Sequence, residues 1–293
     1  MKRLLLALAL VALSYPVMEK ALELKPGLQG SSRLFSYSYK KLILAFPTLK
    51  PVLSDALYIQ TSYLVGNDVF DRWKERKFTK EEWKTILHNV RVMTKLDPYY
   101  FEPYYFAGSY ASWKVRKYPE LLEEVNSILE EGRKYVKDWR LPFSIGFNYF
   151  YFMGDKEKGA RYLKEASQME GAPDYLKLLV PRLYAQSGKF QLAVIETAQE
   201  LERTKNKALK RQLERRLKAL VALRDLNLAL EKFRKVYGRC PSSLEELVER
   251  KFIPAIPKDP YGGEFYIKKE SCTVWTTSNL RPVTEKTTSP SSQ

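Results

Sequence analysis

The sequence predicts a mainly α-helical chain: helical hairpins stacked as a solenoid, then a small C-terminal α+β module. Three observations carry that reading. The stretch Asp138–Pro173 divides into two short helices joined at Gly154-Asp155 and closed by a proline-bearing turn. Gly154 and Gly188 lie 34 residues apart, as do Gly132 and Ala166, so the hairpin recurs at a fixed period. After Gly238 the helical period gives way to prolines, glycines and two short alternating runs.

The first eighteen residues carry Lys2-Arg3, the apolar run Leu4–Leu13 and then Ser14-Tyr15-Pro16. A positive end before about ten to fifteen apolar residues is an export signal, and it is short for a helix crossing about 30 Å of hydrocarbon. Two forms stay open: a signal peptide cleaved near Ala12-Leu13-Ser14, or an uncleaved signal anchor. No cysteine follows, which excludes a lipoprotein. Lys2 and Arg3 would stay cytoplasmic, leaving the bulk of the chain periplasmic at the inner membrane. Residues 19–33, with Pro26, Gly27 and Gly30, read as a linker.

Residues 34–202 hold the hairpins. Helices interrupted at Pro47 and Pro51, then Thr79–Lys95 ending in Leu96-Asp97-Pro98, make a first, degenerate copy. Glu102–Tyr118 with Pro119–Val136 form the next. Asp138–Pro173 follows, and Asp174–Glu202 closes the series with Pro181 placed to kink its first helix. Small residues at Gly108, Gly146, Gly159 and Ala160 let partner helices approach, while Tyr149 and Leu163 fill the space beside them. Residues 203–237 form one long capping helix with an apolar face from Leu213 to Phe233. In the module of residues 238–280, Ser242-Ser243-Leu244-Glu245 reads as a capping box. Glu264–Ile267 and Thr273–Thr276 read as a hairpin, and residues 281–293 as a disordered tail.

With these registers the stretch from about residue 50 to 202 resembles the tetratricopeptide repeat family. That resemblance implies a groove for a protein or peptide partner, lined by the first helix of each unit. By register from Gly108 and Gly146 it assigns Tyr105, Ser109, Trp113, Phe147, Tyr151 and Arg182 to partner binding, aromatic and arginine side chains being usual anchors. A second resemblance lies in Phe233–Val248 and Ile256–Ile267, FRKVYGRCPSSLEELV and IPKDPYGGEFYI. These look like the globular part of the major pseudopilin of type II secretion. The implied role is accessory to an envelope secretion or pilus assembly machine; no prepilin motif leads a long hydrophobic helix, so a pilus subunit is not expected. Some members of that family bind calcium near this sheet, but Asp259 alone does not supply the six to eight oxygens the ion takes.

The net charge of +16 suits polyanions as well as a solvated Lys- and Glu-rich surface. Basic residues concentrate in Arg203–Lys218, where only Glu214 opposes them, and a basic nucleic-acid-binding repeat protein is the rival reading. The export signal argues against it. Cys240 and Cys272 both fall in the final module, so export would let them pair and close a loop worth roughly 3–4 kcal/mol. With His88 the one histidine, a zinc site lacks ligands, and no metal or cofactor is expected. No phosphate loop, His-Glu-x-x-His or nucleophile elbow occurs, and Glu123-Glu124, Glu130-Glu131 and Glu245-Glu246 read as solvated helix faces. The expectation is a non-enzymatic scaffold. A reporter active only outside the cytoplasm, fused after about the first forty residues, should be active in cells; an expressed but silent fusion would remove the export assignment.

Overall fold

The computed structural model describes residues 37–45, 47–70 and 78–281, and the described chain is mainly helical with one two-stranded antiparallel sheet. The expected N-terminal signal, linker and tail beyond residue 281 fall outside the described residues. The chain divides into two compact units, residues 1–103 and 104–293.

The first unit contains α1 (Tyr39–Ala45), α2 (Lys50–Phe70) and α3 (Lys80–Leu96). The sequence reading breaks a helix at Pro51; instead α2 starts one residue before it. A first-turn proline lacks only an N–H that has no intrahelical acceptor there, so it begins helices readily. Thr79 caps α3 reciprocally: its hydroxyl accepts the Glu82 N–H at 3.2 Å, and the Glu82 carboxylate accepts the Thr79 N–H at 2.8 Å. Leu57 of α2 packs on Val92, Met93 and Leu96 of α3, and Ser54 donates to the Met93 carbonyl at 3.1 Å. His88 is exposed, with Nε2 2.9 Å from the Tyr37 carbonyl oxygen.

The second unit opens at Tyr104, within a broken helix. The helix α4 (Phe101–Phe106) runs through a π turn (Ala107–Ala111) into α5 (Ser112–Val115). Then come α6 (Pro119–Gly132) and α7 (Arg140–Phe147), which also ends in a π turn (Asn148–Phe152). Regular helices follow: α8 (Lys156–Ser167), α9 (Tyr175–Gln186), α10 (Phe190–Arg203) and α11 (Lys207–Tyr237). Each of these from α6 onward packs on its neighbour in sequence. The joints are the expected glycines, Gly154 and Gly188, at φ of 74° and 80°. Pro181 sits within α9, leaving the Lys177 carbonyl without its N–H four residues on.

The helices α7 and α8 approach closely. A Cβ on Gly159 would stand 2.5 Å from the Phe150 Cβ and 2.9 Å from the Gly146 carbonyl oxygen, so both backbones meet where neither residue has a side chain. Asp155 caps α8 by accepting the Lys158 N–H at 2.8 Å, and α8 buries Ala160, Leu163 and Ala166 against its partners.

The helix α11 is capped by Asn206, whose side chain accepts the N–H groups of Ala208 and Leu209, and stopped by Gly238 at φ 69°. It packs on α10 and α9 with one part of its surface, and on the C-terminal elements with another. Those elements are α12 (Leu244–Glu249), β1 (Phe265–Lys268) and β2 (Thr273–Thr276), with Phe265 opposite Thr276 and Lys268 opposite Thr273. One hydrophobic cluster runs from Ala160 and Leu163 through Leu220, Leu223 and Phe233 to Leu247, Val274 and Trp275, so the core is continuous across residue 238.

The junction is specific. Asn227, buried in the leucine seam of α11, donates to the Val274 carbonyl at 3.1 Å and accepts the Val274 N–H at 2.9 Å, completing the strand edge that β1 leaves open. Asp259 is buried too, accepting from the Tyr261 N–H at 2.9 Å, from Ser278 at 2.6 Å and from Thr276, which ties the proline-rich segment to the end of β2. A disulfide joins Cys240 to Cys272, with Cα atoms 5.9 Å apart. The expected capping box of α12 is not formed: Ser243 makes no side-chain cap, and Glu246 accepts from the Ser242 N–H, the Ser242 hydroxyl and Arg239.

Two substitutions test these joints. Gly159→Ala should lower unfolding free energy by roughly 1–3 kcal/mol, since a methyl against backbone cannot be absorbed by a rotamer change. Asn227→Leu leaves two buried backbone groups of Val274 unpaired at about 1–3 kcal/mol each, a loss of roughly 2–4 kcal/mol after the gain in apolar burial. Urea titration followed by circular dichroism reads both; an unchanged midpoint in either variant would show that its contact is not structural.

Candidate partner-binding surface

The two π turns shape the surface that the repeat register singles out. A π turn closes its hydrogen bond one residue later than an α turn, so it rotates the following side chains relative to the preceding ones. In α7 this brings both Tyr151 and Phe152 back towards Phe147. Ring centroids of Phe147 and Tyr151 are 5.0 Å apart and stacked, and Phe147 and Phe152 are 5.6 Å apart, edge to face.

Trp113 of α5 completes the group. Its ring lies 5.8 Å from Phe147, 5.7 Å from Tyr151 and 4.9 Å from Phe152. The approach is possible because the first π turn carries Gly108 against α7, where a Cβ would fall 2.7 Å from Ser144 Oγ. Such edge and offset contacts suit the ring quadrupoles and hold the cluster rigid. Yet it is not sealed: Trp113 is 44% exposed and Tyr151 56%.

Tyr105 is 44% exposed and lies beneath the Arg140 guanidinium, 5.4 Å from the ring centroid. Asp138 holds that arginine through bonds of 2.8 and 2.7 Å, and the pairing lowers the Asp138 pKa. Ser109 turns its hydroxyl back to the Tyr105 carbonyl at 2.6 Å, so it offers a partner less than its register suggests. Arg182 is not among these residues. It is half-buried on α9, and the charges it feels are those of Arg216 and Arg281.

Sequence reasoning missed Phe143 and Trp139, which extend the row: Trp139–Phe143 centroids are 5.6 Å apart and Phe143–Phe147 6.1 Å. The signal was present as aromatics at every fourth position, 139, 143, 147 and 151. Both pack partly on the core, so the row passes from interior to surface. Tyr149, by contrast, is buried with its hydroxyl donating to Glu123 at 3.0 Å, and Lys158 lies over its ring at 3.8 Å.

The carboxylate pairs are engaged in structural contacts: Glu123 with Tyr149, Glu130 with Arg133 at 2.5 Å, and Glu246 with Arg239, which with the Ser242 N–H lowers the Glu246 pKa to about 2. A carboxyl held that low is a poor general acid at neutral pH. Among the described residues no group of three or more His, Cys, Asp or Glu is placed to share a metal ion, and no helix is long and apolar enough to cross a membrane. What this surface offers chemically is flat apolar area, rigid rings, a tyrosine hydroxyl and one stacked guanidinium. Comparison with protein-family models, with curated proteins and with solved structures finds no match.

Proposed function

We propose that this chain is a non-enzymatic adaptor of the cell envelope that holds a protein partner on the surface formed by Tyr105, Trp113, Phe147 and Tyr151. The observation that carries the reading is the exposed, interlocked ring cluster. Exposed apolar residues scattered singly need no explanation, but rings that touch one another and stay half-exposed make a contiguous patch of the kind partners cover, and aromatic side chains lose little entropy when covered.

A tetratricopeptide-like solenoid is the architecture we assign to the hairpins. In support, ion pairs Arg133–Glu165 and Lys164–Glu196 join helices of successive hairpins at the same sequence separation of 32. A stack of similar units repeats its contacts in this way. The disulfide agrees with an oxidising compartment, and hence with export and a periplasmic or inner-membrane-anchored location. The C-terminal module, pseudopilin-like in its wording, is the part we assign to docking on a secretion or pilus assembly machine.

Replacing Phe147 and Tyr151 together with Ala should remove roughly 2–4 kcal/mol of partner affinity, about thirty-fold or more. Partner recovered by pull-down from solubilised membranes and then titrated against parent and variant gives the measurement, with helical circular dichroism as the folding control. Reversing Lys207, Lys210 and Arg211, all exposed on α11, should alter mainly salt dependence and association rate. If the folded aromatic variant binds as tightly as the parent while charge reversal abolishes binding, the surface is misassigned and a nucleic-acid or other polyanion reading of α11 takes its place.

A further inference from the structure

Three arginines lie on α9, α11 and the segment after β2, which pack into one hydrophobic cluster through Leu183, Leu220 and Leu280. Arg216 occupies a leucine-like position in the seam of α11, three residues after Leu213, and is 6% exposed. Its Nε donates to the Tyr261 hydroxyl at 3.1 Å and its guanidinium stands 5.5 Å from that ring's centroid, but its Nη1 is buried without a partner. Arg182 of α9 is half-buried, and its Nε is likewise buried without a partner.

Arg281 is exposed and opens the cluster to solvent. Its position is built: Leu280 is fully buried, Asn279 and Leu280 both hold left-handed backbone at φ 50° and 57°, and Gln186, one turn beyond Arg182, donates to Asn279 at 3.3 Å. Consecutive non-glycine residues at positive φ are strained and persist only where the surroundings impose them.

Among the described residues none of the three arginines forms an ion pair. Burial lowers the Arg182 pKa to about 10, with the charges of Arg281 and Arg216 adding to it, and burial lowers that of Arg216 as well. Gathered like charges with unspent donors cost stability, and an anion in their midst would satisfy both.

We infer that Arg182, Arg216 and Arg281 form a binding site for a phosphate group, with the orphaned Nη1 of Arg216 at its floor and Arg281 at its mouth. A phosphate has enough oxygens and charge to engage three guanidinium forks, whereas a carboxylate has two oxygens and one charge. The group could arrive as a free phosphate or as the headgroup of an anionic lipid, and the chemistry of recognition is the same. The inference is independent of the aromatic surface.

The test uses the whole chain in phosphate-free buffer, with ionic strength held constant by chloride. Inorganic phosphate should raise Tm along a saturating curve. Arg182→Met and Arg281→Ala should each weaken the apparent phosphate affinity by about tenfold or more. Arg182→Met should also raise Tm before phosphate is added, because it removes a like charge, which a merely structural arginine would not do. Flotation with phosphatidylglycerol vesicles against phosphatidylcholine separates the sources: Arg281-dependent flotation indicates a headgroup, and a phosphate response without flotation a free ligand. Phosphate curves that coincide for parent and both variants overturn the site. So does a parent that neither responds to phosphate nor floats in an Arg281-dependent way.

Discussion

Two polar side chains interrupt the leucine seam of α11, and each must find its hydrogen bonds inside the protein because bulk water cannot reach them. Asn227 does so completely, giving its amide to both backbone groups of Val274. Arg216 does so in part, bonding Tyr261 while one nitrogen stays unpaired. Between them they fix the C-terminal elements on the helix at two points, one on β2 and one on the segment before β1. Leucines alone would hold the same surfaces together but would tolerate sliding; directional bonds to the Val274 backbone and the Tyr261 hydroxyl do not. The disulfide and the Asp259 hub then need only hold the short hairpin together, a task a two-stranded sheet cannot manage alone.

A similar logic governs the aromatic surface. Gly146 and Gly159 bring two helix backbones together, and Gly108 leaves room for the Ser144 side chain of the neighbouring helix. The π turns add a residue to the turn at the same places and set the angle at which those rings leave the helix.

Charge is distributed unevenly in the second unit. Across the hairpins, lysines and arginines meet glutamates: Arg133 with Glu165, Lys164 with Glu196, Lys177 with Glu200 at 3.4 Å. On α11 ten lysines and arginines stand against three acidic residues; Arg224 pairs with Asp225 at 2.8 Å, whereas Arg216 is buried without an ion pair among the described residues. Exposed lysines tolerate this because water screens them. A buried guanidinium has no such screening, and so the cluster around Arg216 is where a bound anion would matter most.

The sequence by itself determined the helices, their joints and the two strands, since these rest on local features: turn glycines at 154, 188 and 238, the small residues of α8, and alternation in Phe265–Lys268 and Thr273–Thr276. It also singled out Trp113, Phe147 and Tyr151, which a four-residue spacing places on one side of their helices. What it could not provide depended on partners far along the chain. The π turns interrupt two helices that the pattern alone would continue, and the start of α2 at Lys50 shows a proline being accommodated where the pattern suggested a break. Asn227 and Arg216 read as polar residues on a basic helix until Val274 and Tyr261, 47 and 45 residues away, are folded against them. Hydrogen bonds between such distant residues leave no periodic trace in a single sequence, and only the tertiary structure decides which polar side chains they bury.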